Sequence, residues 1–203
     1  MTRTLIAFTL ALTLGSLIAA GCADNIAHDR PDAGLPDDAS EAPAGKVRTT
    51  RNTADGTYTT IVDSTSMTDW ISADLETGRE VATTAAWDLR FQRFHIATNG
   101  GVSGAGGVEV AAITGAAFAA VTAAPAGGYV SDAADGNGDG TPDYAFERGD
   151  GWYDYDPTTH ALTPRPVVWV IKTAGGSTLK LEIVKYYDTA GTSGWFTLHW
   201  GSL

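Results

Sequence analysis

VVWVIKTAGGSTLKLEIVKYYD, residues 167–188, constrains the fold more than any other stretch. Two β-rich runs flank Gly175-Gly176. In the second run Leu179, Leu181 and Ile183 alternate with Lys180 and Glu182, the period of a strand with one face on a core. The pair reads as a long hairpin, and GWFTLHW, residues 194–200, reads as a further strand that closes the chain. RTTRNTADGTYTTIVD, residues 48–63, alternates around an Asp55-Gly56 pair, the signal of a two-residue hairpin turn. TDWISADLETGREV turns near Thr77-Gly78, and GWYDYD is followed by a turn at Pro157. The 24 glycines among 203 residues exceed the usual ~7% and make turns frequent. No segment carries a convincing helical period. Ala111 to Gly128 is alanine-rich, but Gly115, its threonines and Pro125 interrupt any helix, so it reads as strand plus loop. Short strands at this spacing predict one all-β domain, an antiparallel sandwich or barrel with extended hairpins.

That domain spans residues 46–203. Residues 1–21 differ: Arg3, an apolar run from Leu5 to Ala20, then a small-residue cleavage site. This is the pattern of a secretory signal peptide. Ala19, Ala20 and Gly21 before Cys22 resemble a bacterial lipobox, which makes Cys22 the expected lipidation site. Cys22 is the one cysteine of the chain, so a lipid there leaves no thiol for a disulfide or a thiolate metal site. Residues 22–45 are acidic, rich in proline and alanine, and poor in large apolar side chains. They read as a tether, with His28 solvated on it. Loss of Arg3 with the signal takes the formal charge from −11 to −12. So acidic a chain excludes nucleic acid as a partner, since that affinity rests on Lys and Arg meeting phosphates. The expected address is the bacterial cell envelope: an outer-membrane lipoprotein facing periplasm or cell surface.

WDLRFQRFHIATNGG, residues 87–101, carries unusual polar content for a core segment. It reads as one strand ending at Thr98, with Trp87, Leu89, Phe91, Arg93 and His95 on one face. An ion pair between Asp88 and an arginine would explain that content without a ligand. The six tryptophans and seven tyrosines read chiefly as core, with a flat apolar slot as the alternative.

Three pieces together resemble a known family. They are WDLRFQRFHIATNGGVSGAGGVEV, GWYDYDPTTHALTPRPVVWVIKT and LKLEIVKYYDTAGTSGWFTLHW. In order and spacing, and with the lipobox, they are similar to the HmuY family of secreted or lipid-anchored haem-binding proteins. The likeness runs from about Trp70 to Trp200. It implies an all-β fold whose extended hairpins grip one haem, held by two axial side chains, His pairs in some members and Met pairs in others. It implies no enzymatic activity. A haem transporter or another surface protein becomes the expected partner, besides the membrane reached through the lipid on Cys22.

The residues offer few axial ligands. Met1 leaves with the signal, so Met67 is the remaining methionine. Outside the tether the histidines are His95, His160 and His199. His95 lies on the polar strand, His160 in the turn DPTTHAL, and His199 on the last strand facing away from Leu198 and Trp200. Each also has a plain structural reading as a hydrogen-bonded histidine, and Met67 as a packing residue.

DGNGDGTPD, residues 135–143, is the sharpest local motif. Asp135, Asn137 and Asp139 stand at alternate positions before Gly140, Thr141 offers a backbone carbonyl, and Asp143 follows. This spacing suits calcium, a hard cation that takes oxygen ligands. It departs from an EF-hand at the twelfth position, which is Phe146, with Glu147 one step late. The alternative is a solvated Asx-turn loop. The chain has no G-x-S-x-G, no H-E-x-x-H and no phosphate loop, so an enzyme is not expected. Two functions stay open: haem capture, or a calcium-stiffened module of the same fold that binds no haem and contacts another surface protein.

Overall fold

A computed structural model describes residues 45–203. Twelve strands follow in chain order: β1 (Val47–Arg51), β2 (Tyr58–Asp63), β3 (Ile71–Asp74), β4 (Arg79–Val81), β5 (Leu89–Gln92), β6 (His95–Thr98), β7 (Glu109–Thr114), β8 (Tyr153–Asp156), β9 (Ala161–Pro164), β10 (Val167–Lys172), β11 (Thr178–Tyr187) and β12 (Ser193–Ser202). Ten form one antiparallel sheet in the order β6-β5-β3-β4-β1-β2-β12-β11-β10-β7, and β8 and β9 form a separate ribbon. Single 3-10 turns at Phe118–Ala120 and Ala145–Glu147 are the only helical pieces among the described residues. The fold is the all-β one expected.

The long C-terminal strands are its centre. On β11 and β12, Leu179, Leu181, Ile183, Phe196, Leu198 and Trp200 all point into one core. Each such side chain contributes about 1.5–3 kcal/mol on leaving water. The run VVWVI on β10 is apolar throughout because both its faces are covered. Val167, Trp169 and Ile171 face the main core, while Val168 and Val170 pack under Val121, Ile113, Phe118 and Tyr129. The alanine-rich segment is therefore strand β7 followed by a covering loop.

The sheet is nearly closed, and residues 130–133 tie its two edges. Val130 bridges Val110 of edge strand β7 through two 2.9 Å backbone bonds. Asp132 accepts the Thr98 N–H of edge strand β6 at 2.9 Å and the Ala145 N–H at 2.9 Å. The glycine run that follows β6 lets backbone approach closely. Gly101 has φ +59°, and a Cβ there would lie 1.8 Å from the Asp132 carbonyl oxygen. The Asn99 side chain, with Gly104 and Gly106 pressed against it, accepts the Gly106 N–H and donates to the Trp87 carbonyl.

Two expectations change. Residues 87–98 are not one strand but a hairpin, β5 and β6, reversing at Arg93-Phe94 with Gln92 opposite His95. Arg93 is left-handed, φ 52°. Tertiary bonds hold it there: the Arg93 N–H donates to the Ser64 carbonyl, the Ser64 hydroxyl donates to the Arg93 carbonyl, and the Arg93 guanidinium donates to Thr65 and Ser193. The Asp55-Gly56 turn is also longer than two residues. Arg51 pairs with Tyr58, so Asn52 to Thr57 form the loop. The Asp55 carboxylate, by accepting the Thr57 N–H and hydroxyl, favours this wider loop. The turns at Gly78 and Pro157 stand where the sequence put them.

Candidate functional site

Cys22, the tether and His28 lie outside the described residues. The polar strand resolves into two separate networks. Asp88 is buried, 1% exposed. It pairs with no arginine, contrary to expectation, and instead accepts the N–H groups of Leu75 and Ala174, both at 2.8 Å. It thereby joins the β3–β4 turn to the β10–β11 turn. Burial, helped by nearby Glu76 and Asp74, pushes its carboxyl up to about 6 against the pull of the two N–H bonds. Arg90 lies over Trp87 at 4.4 Å and Trp70 at 5.3 Å, and donates to the Ser103 carbonyl. Its charge is carried by aromatic faces rather than by a carboxylate.

The four candidate iron ligands separate clearly. Met67 is 75% exposed in the β2–β3 connection. His199 sits on the sheet face away from the main core, 2.8 Å from Glu182 and with its ring 4.1 Å from that of Phe118. His95 and His160 instead stand at the two ends of the β8–β9 ribbon, His95 at its base and His160 at its tip. At the ribbon's base Phe94 packs between His95, 4.1 Å away, and Tyr153, 6.0 Å away. Tyr155, two residues on and therefore on the same strand face, meets His160 at the ribbon tip, their rings 5.9 Å apart. One aromatic group thus stands at the ribbon's base beside His95 and another at its tip beside His160. The ribbon is anchored at its base and flank. Arg165 donates to the Tyr153 carbonyl and pairs with Asp154 at 2.7 Å, and the Leu162 N–H donates to the Tyr187 hydroxyl.

The surroundings fix the His95 ring. Nδ1 lies 2.9 Å from the Glu147 carboxylate. A carboxylate only accepts, so Nδ1 carries the proton and Nε2 presents a lone pair, the arrangement that metal-binding imidazoles usually have. Glu147 is placed by its 3-10 turn, which Asp132 holds through Ala145. His160 differs. It has a left-handed backbone, φ 57°, and its Nδ1 is hydrogen-bonded to the Tyr155 hydroxyl. Burial raises Tyr153 and Tyr144, with Glu147 adding to both, so these phenols stay neutral.

The acidic loop lies beside His95. Asp135 accepts the N–H groups of Gly138, Asp139 and Gly140, and Asn137 accepts that of Asp139. The Thr141 hydroxyl, then its N–H, holds the Asp139 carboxyl below its usual range. Asp143 closes the loop near Gly136, where a Cβ would meet its carboxylate at 2.9 Å. Asp135, Asn137 and Asp139 thus use their oxygens in hydrogen bonds within the loop, and the described triad of acids whose oxygens lie within 4.8 Å of one another is instead Asp74, Glu76 and Asp88. A polar cleft of about 340 Å³ runs from this loop to Tyr144, Glu147 and Arg148. Sequence reasoning set Glu147 aside as a misplaced calcium ligand and did not include Tyr155. Their contacts join residues 52 and 5 positions apart, the first of which no local motif reports.

The model of the HmuY protein family matches residues 66–200. No curated protein matches the chain. Among solved structures, a candidate lipoprotein of Bacteroides fragilis is 21% identical with a TM-score of 0.54, over 74% of this chain and 91% of its own. A candidate HmuY-like haem-binding protein of Bacteroides vulgatus is 20% identical with a TM-score of 0.53, over 71% and 90%. The apo form of an HmuY analogue from Tannerella forsythia is 18% identical with a TM-score of 0.57, over 75% and 95%. At these identities the likeness shows a common fold.

Proposed function

The chain belongs to the HmuY family, and on that premise we propose that it is a lipid-anchored binding protein of the bacterial cell envelope that captures haem. Cys22 would carry the lipid and residues 22–45 would tether the domain of residues 46–203. Haem supplies an iron with two axial positions. The observation that carries the reading is the pairing of histidines with aromatic rings on the β8–β9 ribbon, His95 with Phe94 and Tyr153 at its base and His160 with Tyr155 at its tip. His95 brings an Nε2 lone pair oriented by Glu147, and the ribbon brings an exposed aromatic surface suited to a flat ring. The protein binds and hands on rather than catalyses, with a haem transporter or another surface protein as receiver. Calcium on Asp135, Asn137, Asp139, Asp143 and the Thr141 carbonyl would stiffen the loop beside His95.

A second reading is a calcium-stiffened module of the same fold that docks a surface protein and binds no haem. It is favoured by the polarity of the cleft and by the engagement of His199 with Glu182 and Phe118. Quenching of intrinsic fluorescence by added haem separates the two. Haem capture predicts saturable quenching, weakened at least about tenfold by His95→Ala, a loss of about 1.4 kcal/mol. Quenching that does not saturate, or that His95→Ala and His160→Ala both leave unchanged, contradicts it.

A further inference from the structure

We propose that Asn137 is a covalent modification site: its side-chain amide is lost as ammonia through a cyclic imide formed with the Gly138 nitrogen, and Asp135 accepts the Gly138 proton. The reaction needs neither haem nor calcium.

Four asparagines occur in the chain, and two of them, Asn99 and Asn137, precede a glycine. That order matters because ring closure brings the backbone nitrogen of the next residue against the asparagine Cγ. Glycine alone leaves that nitrogen without a neighbouring side chain. The fold treats the two steps in opposite ways. Asn99 is 7% exposed. Its Nδ2 donates to the Trp87 carbonyl, and its Oδ1 accepts the Gly106 N–H. Gly100 is packed so tightly that a Cβ would lie 2.1 Å from the Val108 carbonyl oxygen. Turning the Asn99 side chain toward the Gly100 nitrogen would leave both its partners unpaired inside the protein. Asn137 and Gly138 are exposed, and a Cβ on Gly138 would meet nothing within 4 Å.

The partners around Asn137 fit the reaction. The Gly138 N–H donates to Asp135 Oδ1 at 2.6 Å, so a carboxylate already stands on the proton that must leave. Asn137 Oδ1 accepts the Asp139 N–H at 2.9 Å. That donor polarises the amide carbonyl and stays with the oxygen as negative charge builds on it. Asn137 Nδ2, the leaving atom, donates to Asp139 Oδ2 at 3.0 Å. The reacting groups sit on adjacent residues of one chain, so little entropy is lost in bringing them together.

The steps balance with water as the co-reactant. The Gly138 nitrogen gives its proton to Asp135 and bonds to Asn137 Cγ. The Cγ–Nδ2 bond breaks, Asp135 returns the proton through water, and Nδ2 leaves as ammonia. Water then opens the imide. If it adds at Cγ, the bond from Cγ to the Gly138 nitrogen breaks and an aspartate remains. If it adds at the main-chain carbonyl carbon, the bond from that carbon to the same nitrogen breaks and an isoaspartate remains. Nothing is oxidised or reduced. Either product carries one carboxylate more than Asn137. Asn137 lines the polar cleft with Asp139, Asp143 and Glu147, so the modification makes that cleft more acidic beside the carboxylate that orients His95.

Peptide mass spectrometry of the purified full chain, sampled during incubation in neutral buffer, tests this. Trypsin cuts after Arg93 and Arg148, so one peptide, 94–148, carries both asparagine–glycine steps, and fragmentation tells them apart. Amide-to-acid conversion at Asn137 should run at least about tenfold faster than at Asn99 and give both aspartate and isoaspartate. No conversion at Asn137, or equal conversion at the two, overturns the proposal. Asn137→Gln should abolish the fast release of ammonia; release that continues at the same rate places the reaction elsewhere and also overturns it. Asp135→Ser keeps an oxygen for the loop's N–H groups but removes the proton acceptor, and should slow the conversion about tenfold or more. A rate that is unchanged or higher would show that Asp135 only restrains the loop, and would refute its part in the step.

Discussion

Replacing Asp88 by Asn should make the stability of the domain less dependent on pH, in a direction set by burial. Asp88 is 1% exposed and accepts two backbone N–H bonds. Those bonds favour the carboxylate, while burial favours the acid, and burial wins: the group moves from 3.8 to about 6. The folded state then holds this proton more tightly than the unfolded chain. Asp88 thus contributes stability below about pH 4 that is lost as pH rises through about 6. The full loss is about 3 kcal/mol at 1.36 kcal/mol per pH unit. About 2.5 kcal/mol of it falls between pH 4 and pH 7.5. Asn keeps the shape and one acceptor but turns an N–H₂ group toward one of the two donors, at a cost of about 1–3 kcal/mol at low pH. Urea unfolding at 25 °C of both proteins at pH 4 and pH 7.5 isolates the effect, because shifts at Asp55, Asp139, Asp156 and Asp188 are common to both and cancel. The gap between them should move by about 2.5 kcal/mol in favour of Asp88→Asn as pH rises. A gap that stays constant, or that moves in favour of the wild type, would show that the two N–H bonds outweigh burial and refute the reasoning.

Further predictions follow from the closing of the sheet and from the acidic loop. Gly101→Ala should cost at least about 2 kcal/mol in urea unfolding, combining a left-handed backbone with a Cβ 1.8 Å from the Asp132 carbonyl; a loss below about 0.5 kcal/mol would mean that the loop moves freely. Asp132→Ala should cost about 2–4 kcal/mol, because the Thr98 and Ala145 N–H groups lose their acceptor inside the protein; an unchanged melting temperature would argue that this carboxylate does not tie the edges. Millimolar calcium should raise the melting temperature and Asp135→Ala should remove the rise; an equal rise in both would place the ion elsewhere or make it non-specific.

Most of the fold was legible because strand periodicity survives in the sequence. Leu179, Leu181 and Ile183 alternate, and the turns at Gly78 and Pro157 use residues whose backbone preferences mark a reversal. The β5–β6 hairpin was not legible, because Arg93 and Phe94 carry no turn signal and their reversal is held by Ser64, Thr65 and Ser193. Asp88 misled for a related reason. Acids near arginines suggest ion pairs, but its partners are backbone N–H groups from turns 13 and 86 residues away. At the candidate site, the sequence nominated His95 on a strand and His160 in a turn, and the fold puts them at the start of β6 and in the β8–β9 turn. Their distinct surroundings depend on Glu147 and Tyr155, and only the folded arrangement reveals which partner each ring meets. The Tyr155–His160 contact had a faint signal: the two residues flank a predicted turn at Pro157, where a hairpin brings such positions together.

Absorbance titration of ferric haem into the purified protein, with calcium present, tests the central claim most directly. Haem capture predicts a sharp Soret shift that saturates at about one equivalent. No shift, or a broad change that grows without saturating, would contradict it and leave the fold as a docking module.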